Sequence, residues 1–208
     1  MLQLWADLPG LERIEHGIAF TFDDGPDADG TPEVLDALDR ADIKATFFLV
    51  ADQVDAHPDL AQEIANRGHE VQAHCADHTP HREVADPAAD LWRTIETIFK
   101  ATGIAPTAQR PPYGRFTPAS YEACMQAKLQ PIYWSAWGED WEDIAPDRIA
   151  DIANRDLSDG AVILLHDSAR YAHRPSARAT AAAIPLIAAA MADAHLIPRP
   201  IGGGKPGH

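Results

Sequence analysis

Cysteine is nearly missing from these 208 residues: only Cys75 and Cys124 occur, so no disulfide framework supports the fold. One bridge between them is compatible with the sequence, and nothing requires it. Basic residues are scarce too, 17 Lys and Arg against 32 Asp and Glu, giving a formal net charge of -15 and a pI near 4.9. Nucleic acid and anionic lipid both reward Lys and Arg, so neither is expected as a main partner. Long apolar runs are also lacking. The Ala-rich stretch 177–194 is broken by Pro185 and too weakly apolar to cross a bilayer, so no membrane segment is expected. The first ten residues carry neither a positive leader nor a sustained apolar core. As written, the chain is expected in the cytoplasm; a secreted form would require a trimmed leader.

What is present is an ordinary globular composition, 46% hydrophobic and 24% charged, in a length that suits one sizeable domain. Residues 1–16 read as an N-terminal extension without assignable chemistry, 17–201 as the domain, and the Gly-rich 202–208 as a flexible tail. From Gly17 onward, short β-rich runs alternate with helical patterns. Strands are expected at 17–24, 44–50, 69–74, 106–110, 130–137 and 161–166, with a possible seventh at 196–201. Helices are expected from Thr31-Pro32, Pro58, Asp86-Pro87, Thr117-Pro118 and Pro146, and within 176–194 with a kink at Pro185. Alternating β/α units imply a mostly parallel sheet, open or closed into a barrel, with its working face beyond the C-terminal strand ends.

The polar residues after each strand then form one set: Asp23 and Asp24, His74 with His78, Arg110 and Tyr113, Asp140 and Trp141, His166 with Asp167. Asp23 and Asp24 end an apolar run at Gly25-Pro26. Asp-Gly and Gly-Pro are turn chemistry, and two adjacent carboxylates at a core rim also invite a cation; the pair alone fits either. His74 and His78 are four apart, so a helical turn would present both imidazoles on one face as ligands; two surface histidines in a loop fit the spacing as well. His81 is a rival ligand disfavoured by Pro80, and Cys75 reads as packing. His69 reads as structural or exposed, and His57, His173, His195 and His208 as solvated. His166, at the end of the most apolar strand, is either a satisfied core histidine or a site residue. Arg110 could orient a carboxylate or form a surface ion pair. Trp134, Trp137 and Trp141 suit either a core or the rim of a sugar groove.

Taken together, TFDDGP at 21–26, HCADH at 74–78, RPPYG at 110–114, DW at 140–141 and LLH at 164–166 resemble, in order, the five motif regions of the polysaccharide deacetylase (NodB-homology) family. These are metal-dependent carbohydrate esterases that remove acetyl groups. The resemblance implies an α/β fold, a distorted (β/α)7-type barrel. It implies that Asp24, His74 and His78 bind a divalent metal, most often zinc. Asp23 would be the general base, held by Arg110. His166 would be the general acid, tuned by Asp140. Tyr113 would offer its backbone N–H to the oxyanion, Leu164 would line the acetyl-methyl pocket, and Trp141 the groove wall. Three positions depart from the family pattern: Ala73 where Asn is common, Cys75 where Ser or Thr is common, and Trp137 where Asp is frequent.

The expected function is hydrolysis of N-acetyl groups on an amino-sugar oligomer or polymer, chitin-like or peptidoglycan-like. O-acetyl esterase action on xylan, or deacylation of a small cytosolic metabolite, is the alternative. A carbohydrate-binding module without catalysis is a third reading, opposed by the intact Asp23 and His166. The partner is a carbohydrate or small molecule; the sequence leaves the oligomeric state open.

Overall fold

The structure, a computed structural model, describes residues 8–202. Its strands are β1 (Ala19–Asp23), β2 (Thr46–Val50), β3 (Glu70–Cys75), β4 (Ala108–Gln109), β5 (Gln130–Pro131), β6 (Ala136–Trp137) and β7 (Val162–His166). The helices are α1 (Thr31–Arg40), α2 (Ala51–Ala56), α3 (Pro58–Asn66), α4 (Pro87–Thr102), α5 (Pro118–Gln126), α6 (Pro146–Asn154) and α7 (Arg178–Asp193). The seven strands form one parallel sheet in the order β5-β4-β3-β2-β1-β7-β6.

Helix starts follow local chemistry. Proline opens α3, α4, α5 and α6, where its missing N–H costs nothing. Asp86 caps α4 through Ala89 N–H, and Thr117 and Ser120 form a capping box on α5. Gly103, with φ of 73°, ends α4 in the left-handed conformation.

The expected strand at 130–137 proves to be two. β5 pairs with β4 at one sheet edge, and β6 pairs with β7 at the other. Residues 132–135 cross between them: Ile132 N–H donates to Gln109 O, Tyr133 N–H to Leu11 O and Ser135 N–H to Val162 O. One run of chain thus links both edges and curls the sheet into a distorted barrel. Leu11 bridges Ile132 and Arg13 bridges Ala161, so residues before Gly17 also contact the sheet. The expected seventh strand contributes a single bridge, Pro198 to Ile18. Pro198 and Pro200 interrupt residues 196–201 and Gly202 follows them, which explains why no ladder extends there. Pro185 lies inside α7, which runs through it, and α2 is a helix the hydrophobic pattern does not announce. Most of the expected tail, 203–208, lies outside the described residues.

Side-chain alternation divides each central strand. Phe20, Phe22, Phe47, Leu49, Ile163 and Leu165 belong to the main apolar core, which includes buried residues of α1, α6 and α7. The alternate residues Ala19, Thr21 and Asp23 on β1 stand level with Val162, Leu164 and His166 on β7. This second set climbs the interior from apolar to ionisable and ends at the C-terminal rim.

Candidate active site

Each site residue sits where a strand stops. β1 ends at Asp23, and Asp24 then turns to φ of 81°. A continued strand would send Asp23 and Asp24 to opposite faces; the turn brings both into one cleft. Gly25 is required there. A Cβ on it would lie 2.2 Å from Asp167 Oδ2, a carboxylate buried directly behind the turn. Asp167 Oδ2 also accepts from Thr31 Oγ1 at 2.5 Å.

His74 and His78 converge by a route other than a helical turn. His74 lies on β3, and His78 follows the strand in a loop with φ of 64°. Cys75 Sγ accepts the His78 N–H at 3.2 Å, so the cysteine buried between the two histidines closes their turn. The ring centroids are 5.3 Å apart. Asp24 Oδ1 lies 3.4 Å from His74 Nε2 and 3.1 Å from His78 Nε2. Ligand atoms of these three residues all fall within 4.8 Å of one another. Asp24 Oδ1 and His74 Nε2 are buried without a hydrogen-bond partner. Buried polar atoms of that kind need satisfaction, and one carboxylate with two imidazoles is a donor set a divalent cation accepts. The three residues therefore fit a divalent metal site.

Two ion pairs flank this cluster. On one side Arg110, fully buried, donates from Nη1 to Asp23 Oδ1 at 2.7 Å and to Thr21 Oγ1 at 2.8 Å, and from Nη2 to Tyr133 O at 2.8 Å. Its guanidinium lies 4.2 Å over the Phe48 ring. On the other side His166 Nδ1 meets Asp140 Oδ1 at 2.8 Å, while His166 N–H donates to Asp140 Oδ2 at 2.9 Å.

These environments move the proton affinities apart. Burial alone would raise the Asp24 carboxyl, but the His74 and His78 imidazoles and the His166 charge hold it well below the carboxylate range. Burial would lower His166, yet the Asp140 charge and hydrogen bond, with Asp24 and Asp23, push it up to about 9. Burial likewise opposes Asp140, which His166, Arg174 and Thr180 keep below its ordinary value. Asp167 is pushed up to about 7 by burial, reinforced by Asp24 and Asp27 and relieved in part by Thr31.

A cleft of about 400 Å³ contains Asp23, Asp24, His74, His78 and His166 in its lining. Tyr113, Leu164 and Trp141 line it too, so the ten residues named from the motifs, apart from Arg110 and Asp140 behind the wall, all face one space. Trp134 lines the cleft and Trp137 does not. His81 stands outside the ligand cluster, buried against Phe116 with its pKa lowered by burial to about 4. His69 is buried and accepts the Ala45 N–H. His173 is exposed, as expected, yet its residue lines the cleft edge.

Sequence reasoning missed several participants. Tyr171 stacks on His78 with centroids 4.1 Å apart and planes at 9°, and Tyr113 meets the same ring edge-on. Thr21, Arg174 and Thr180 hold the ion pairs from behind. Only Thr21 had a readable signal: it lies two residues before Asp23 on β1 and so faces the same interior.

Comparison with known proteins bears on the family and the fold. The family described as Polysaccharide deacetylase matches residues 11–132. A peptidoglycan-N-acetylglucosamine deacetylase of Bacillus cereus is 32% identical over 169 residues, covering 77% of this chain and 76% of that protein. A chitooligosaccharide deacetylase of Rhizobium leguminosarum bv. trifolii is 33% identical over 156 residues, covering 74% and 72%. The peptidoglycan-N-acetylglucosamine deacetylase PgdA of Listeria monocytogenes is 35% identical over 72% of this chain, which spans only 32% of that longer protein. Among solved structures, a family 4 carbohydrate esterase from Streptomyces lividans in complex with acetate superposes with a TM-score of 0.79 at 28% identity, covering 89% of this chain and 92% of that one. On the family match and these relatives, with the barrel and an Asp-His-His cluster that fits a divalent metal, the chain belongs to the polysaccharide deacetylase family.

Proposed function

We propose that the chain is a zinc-dependent N-deacetylase of an N-acetylated amino-sugar oligomer or polymer. The observation that carries the reading is the pair of opposed proton-transfer units around one metal cluster: Asp23 with Arg110, and His166 with Asp140. Hydrolysis of an acetamide needs a base for the attacking water and a separate acid for the amine, because an amine anion is a very poor leaving group. Two titratable groups held in opposite protonation states meet both needs.

Asp24, His74 and His78 would hold the cation, which supplies Lewis acidity toward the water and the amide carbonyl. Zinc suits two imidazoles and one carboxylate with positions left open. Asp23 accepts the proton of the attacking water, and Arg110 holds its carboxylate oriented. The Tyr113 N–H, on the Pro112–Gly114 turn, donates to the oxygen that gains charge. His166 delivers the proton to the departing nitrogen from Nε2, since Asp140 occupies Nδ1. Leu164 faces the acetyl methyl group, and Trp141 and Tyr113 offer aromatic surface to sugar rings.

The test is Asp23→Asn. Acetate release from N-acetylglucosamine oligomers should vanish while zinc uptake persists. An active variant would sink the base assignment. Running acetylated xylan beside the oligomers separates amide from ester cleavage; release from xylan alone would overturn the N-deacetylase reading.

A further inference from the structure

We propose that Arg174 is a positioning residue for the acid side of this site: with Thr180 it clamps Asp140 against His166 and draws charge from that pair. The inference rests on His166 being the proton donor. Arg174 belongs to the loop after β7, yet its side chain is 2% exposed. It turns inward beneath the rim. Nη2 donates to His166 O at 2.9 Å and to Ser168 O at 3.1 Å, so it ties down the very end of β7. Nη1 donates to Thr180 Oγ1 and lies 3.4 Å from Asp140 Oδ2. Thr180, in the first turn of α7, donates its own hydroxyl to Asp140 Oδ2 at 2.7 Å.

The result is a chain in which Arg174 donates to Thr180 and Thr180 to Asp140, while Asp140 also accepts from His166. Asp140 Oδ2 receives both Thr180 Oγ1 and the His166 N–H, which leaves Oδ1 for the imidazole Nδ1. The carboxylate can neither rotate nor offer its second oxygen to the ring.

The charges facing His166 give the device its purpose. Asp140 approaches from the loop before α6, alongside the uncharged Trp141; Asp23 and Asp24 approach from the end of β1; Asp167 is the next residue in the chain. All of these carboxylates, when ionised, favour the charged imidazolium. An acid held too tightly is a poor acid, because efficient donors have proton affinities near the working pH. Arg110 stands behind Asp23, and Arg174 stands behind Asp140. Asp23 and Asp140 are thus each backed by a buried guanidinium with a threonine beside it: Thr21 on the base side, Thr180 on the acid side. Arg174 sets how much of the Asp140 charge reaches His166.

The experiment uses the full chain with Arg174→Gln, Arg174→Lys and Thr180→Val. Two readouts are taken on variants with cooperative melting. One is NMR titration of the His166 ring in zinc-free protein; the other is the pH dependence of kcat and KM for zinc-loaded enzyme on N-acetylglucosamine oligomers. Removing the guanidinium should raise the His166 titration midpoint by about one pH unit, and Thr180→Val by about half as much. The basic limb of kcat should move the same way. kcat should fall roughly tenfold or more, short of the ~10²–10⁴ that a lost acid costs, with KM nearly unchanged. Arg174→Lys should restore most of the midpoint. Folded variants that titrate like the parent would overturn the proposal, as would losses of activity that follow melting temperature with no movement in pH. If Arg174→Gln does not fold, Thr180→Val carries the same test. A parent without acetate release whose variants still shift as stated would refute the deacetylase reading and support the clamp.

Discussion

Asp23 and His166 are register partners, facing each other across the β1–β7 pair as the last residues of adjacent parallel strands. Neighbouring strands lie about 4.8 Å apart, so the sheet itself sets the spacing between the residue that would take a proton and the one that would give it. Their partners lie on opposite sides: Arg110 reaches Asp23 from beyond β4, and Asp140 reaches His166 from beyond β6. The two units share the C-terminal rim of the β1–β7 pair and are otherwise built from different parts of the chain.

Arg110 should resist replacement in two separable ways. Arg110→Lys keeps the charge but loses the fork that joins Thr21, Asp23 and Tyr133, so kcat/KM should drop by roughly 10²-fold with a modest change in stability. Arg110→Met strands a buried carboxylate and should cost about 3–5 kcal/mol of stability. Urea midpoints and acetate release, measured on both variants, check this. A Lys variant that turns over like the parent would show that the fork is irrelevant.

The raised His166 pKa makes a signed prediction for stability. In the folded chain it sits at about 9 instead of its ordinary 6.5. A raised histidine pKa stabilises the fold most fully below the unfolded value, and that stabilisation is lost as pH rises from about 6.5 through about 9. The metal-free protein should therefore lose stability across this window, seen as a falling denaturant midpoint. Asp140→Asn should remove most of the slope. Zinc should shrink it too, because Asp24 is one of the charges that raise His166 and a bound cation neutralises it.

Cation removal should be legible without any substrate. A ligand that binds only the folded state adds about 2.7 kcal/mol at a hundredfold excess over its dissociation constant. Zinc should therefore raise the melting temperature of the parent and a chelator should reverse the rise. Asp24→Ala should abolish the response, because Asp24 Oδ1 is the atom both imidazoles approach. A rise of equal size in that variant would place the cation elsewhere.

Gly25→Ala tests the turn that separates the roles of the two aspartates. The added methyl would collide with the Asp167 carboxylate, which is buried and held by Thr31. The β1 loop or the β7 loop must then move, and each carries site residues. Destabilisation of about 1–3 kcal/mol is expected, with loss of zinc affinity. Gly25→Ala combined with Asp167→Ala should recover part of the affinity; no recovery would show that the clash is not what matters.

Much of the architecture was legible beforehand, for identifiable reasons. The buried stretches 47–50 and 162–165 are continuous apolar runs, and several helix starts carry proline, capping residues or both. Where the reading failed, the deciding contacts were distant in sequence. The run 130–137 reads as one strand because Ile132, Tyr133 and Trp134 at its centre favour extended backbone; its division into β5 and β6 depends on which sheet edge each half meets. His74 and His78 were paired through helical spacing, whereas a strand end and a left-handed turn bring them together.

The site divides along the same line. Residue types and their order along the chain were enough to name Asp23, Asp24, His74, His78, Arg110, Asp140 and His166, because each stands at a strand end or within three residues after one. Nothing local marks Tyr171 as the ring that stacks on His78, or Arg174 and Thr180 as the donors behind Asp140. Those roles arise where the loop after β7 folds back beneath the rim. The order of strand ends is written into the sequence as alternation between buried and polar positions. Which charge backs which carboxylate is decided only by packing, since burial and distance, not sequence separation, govern electrostatic strength.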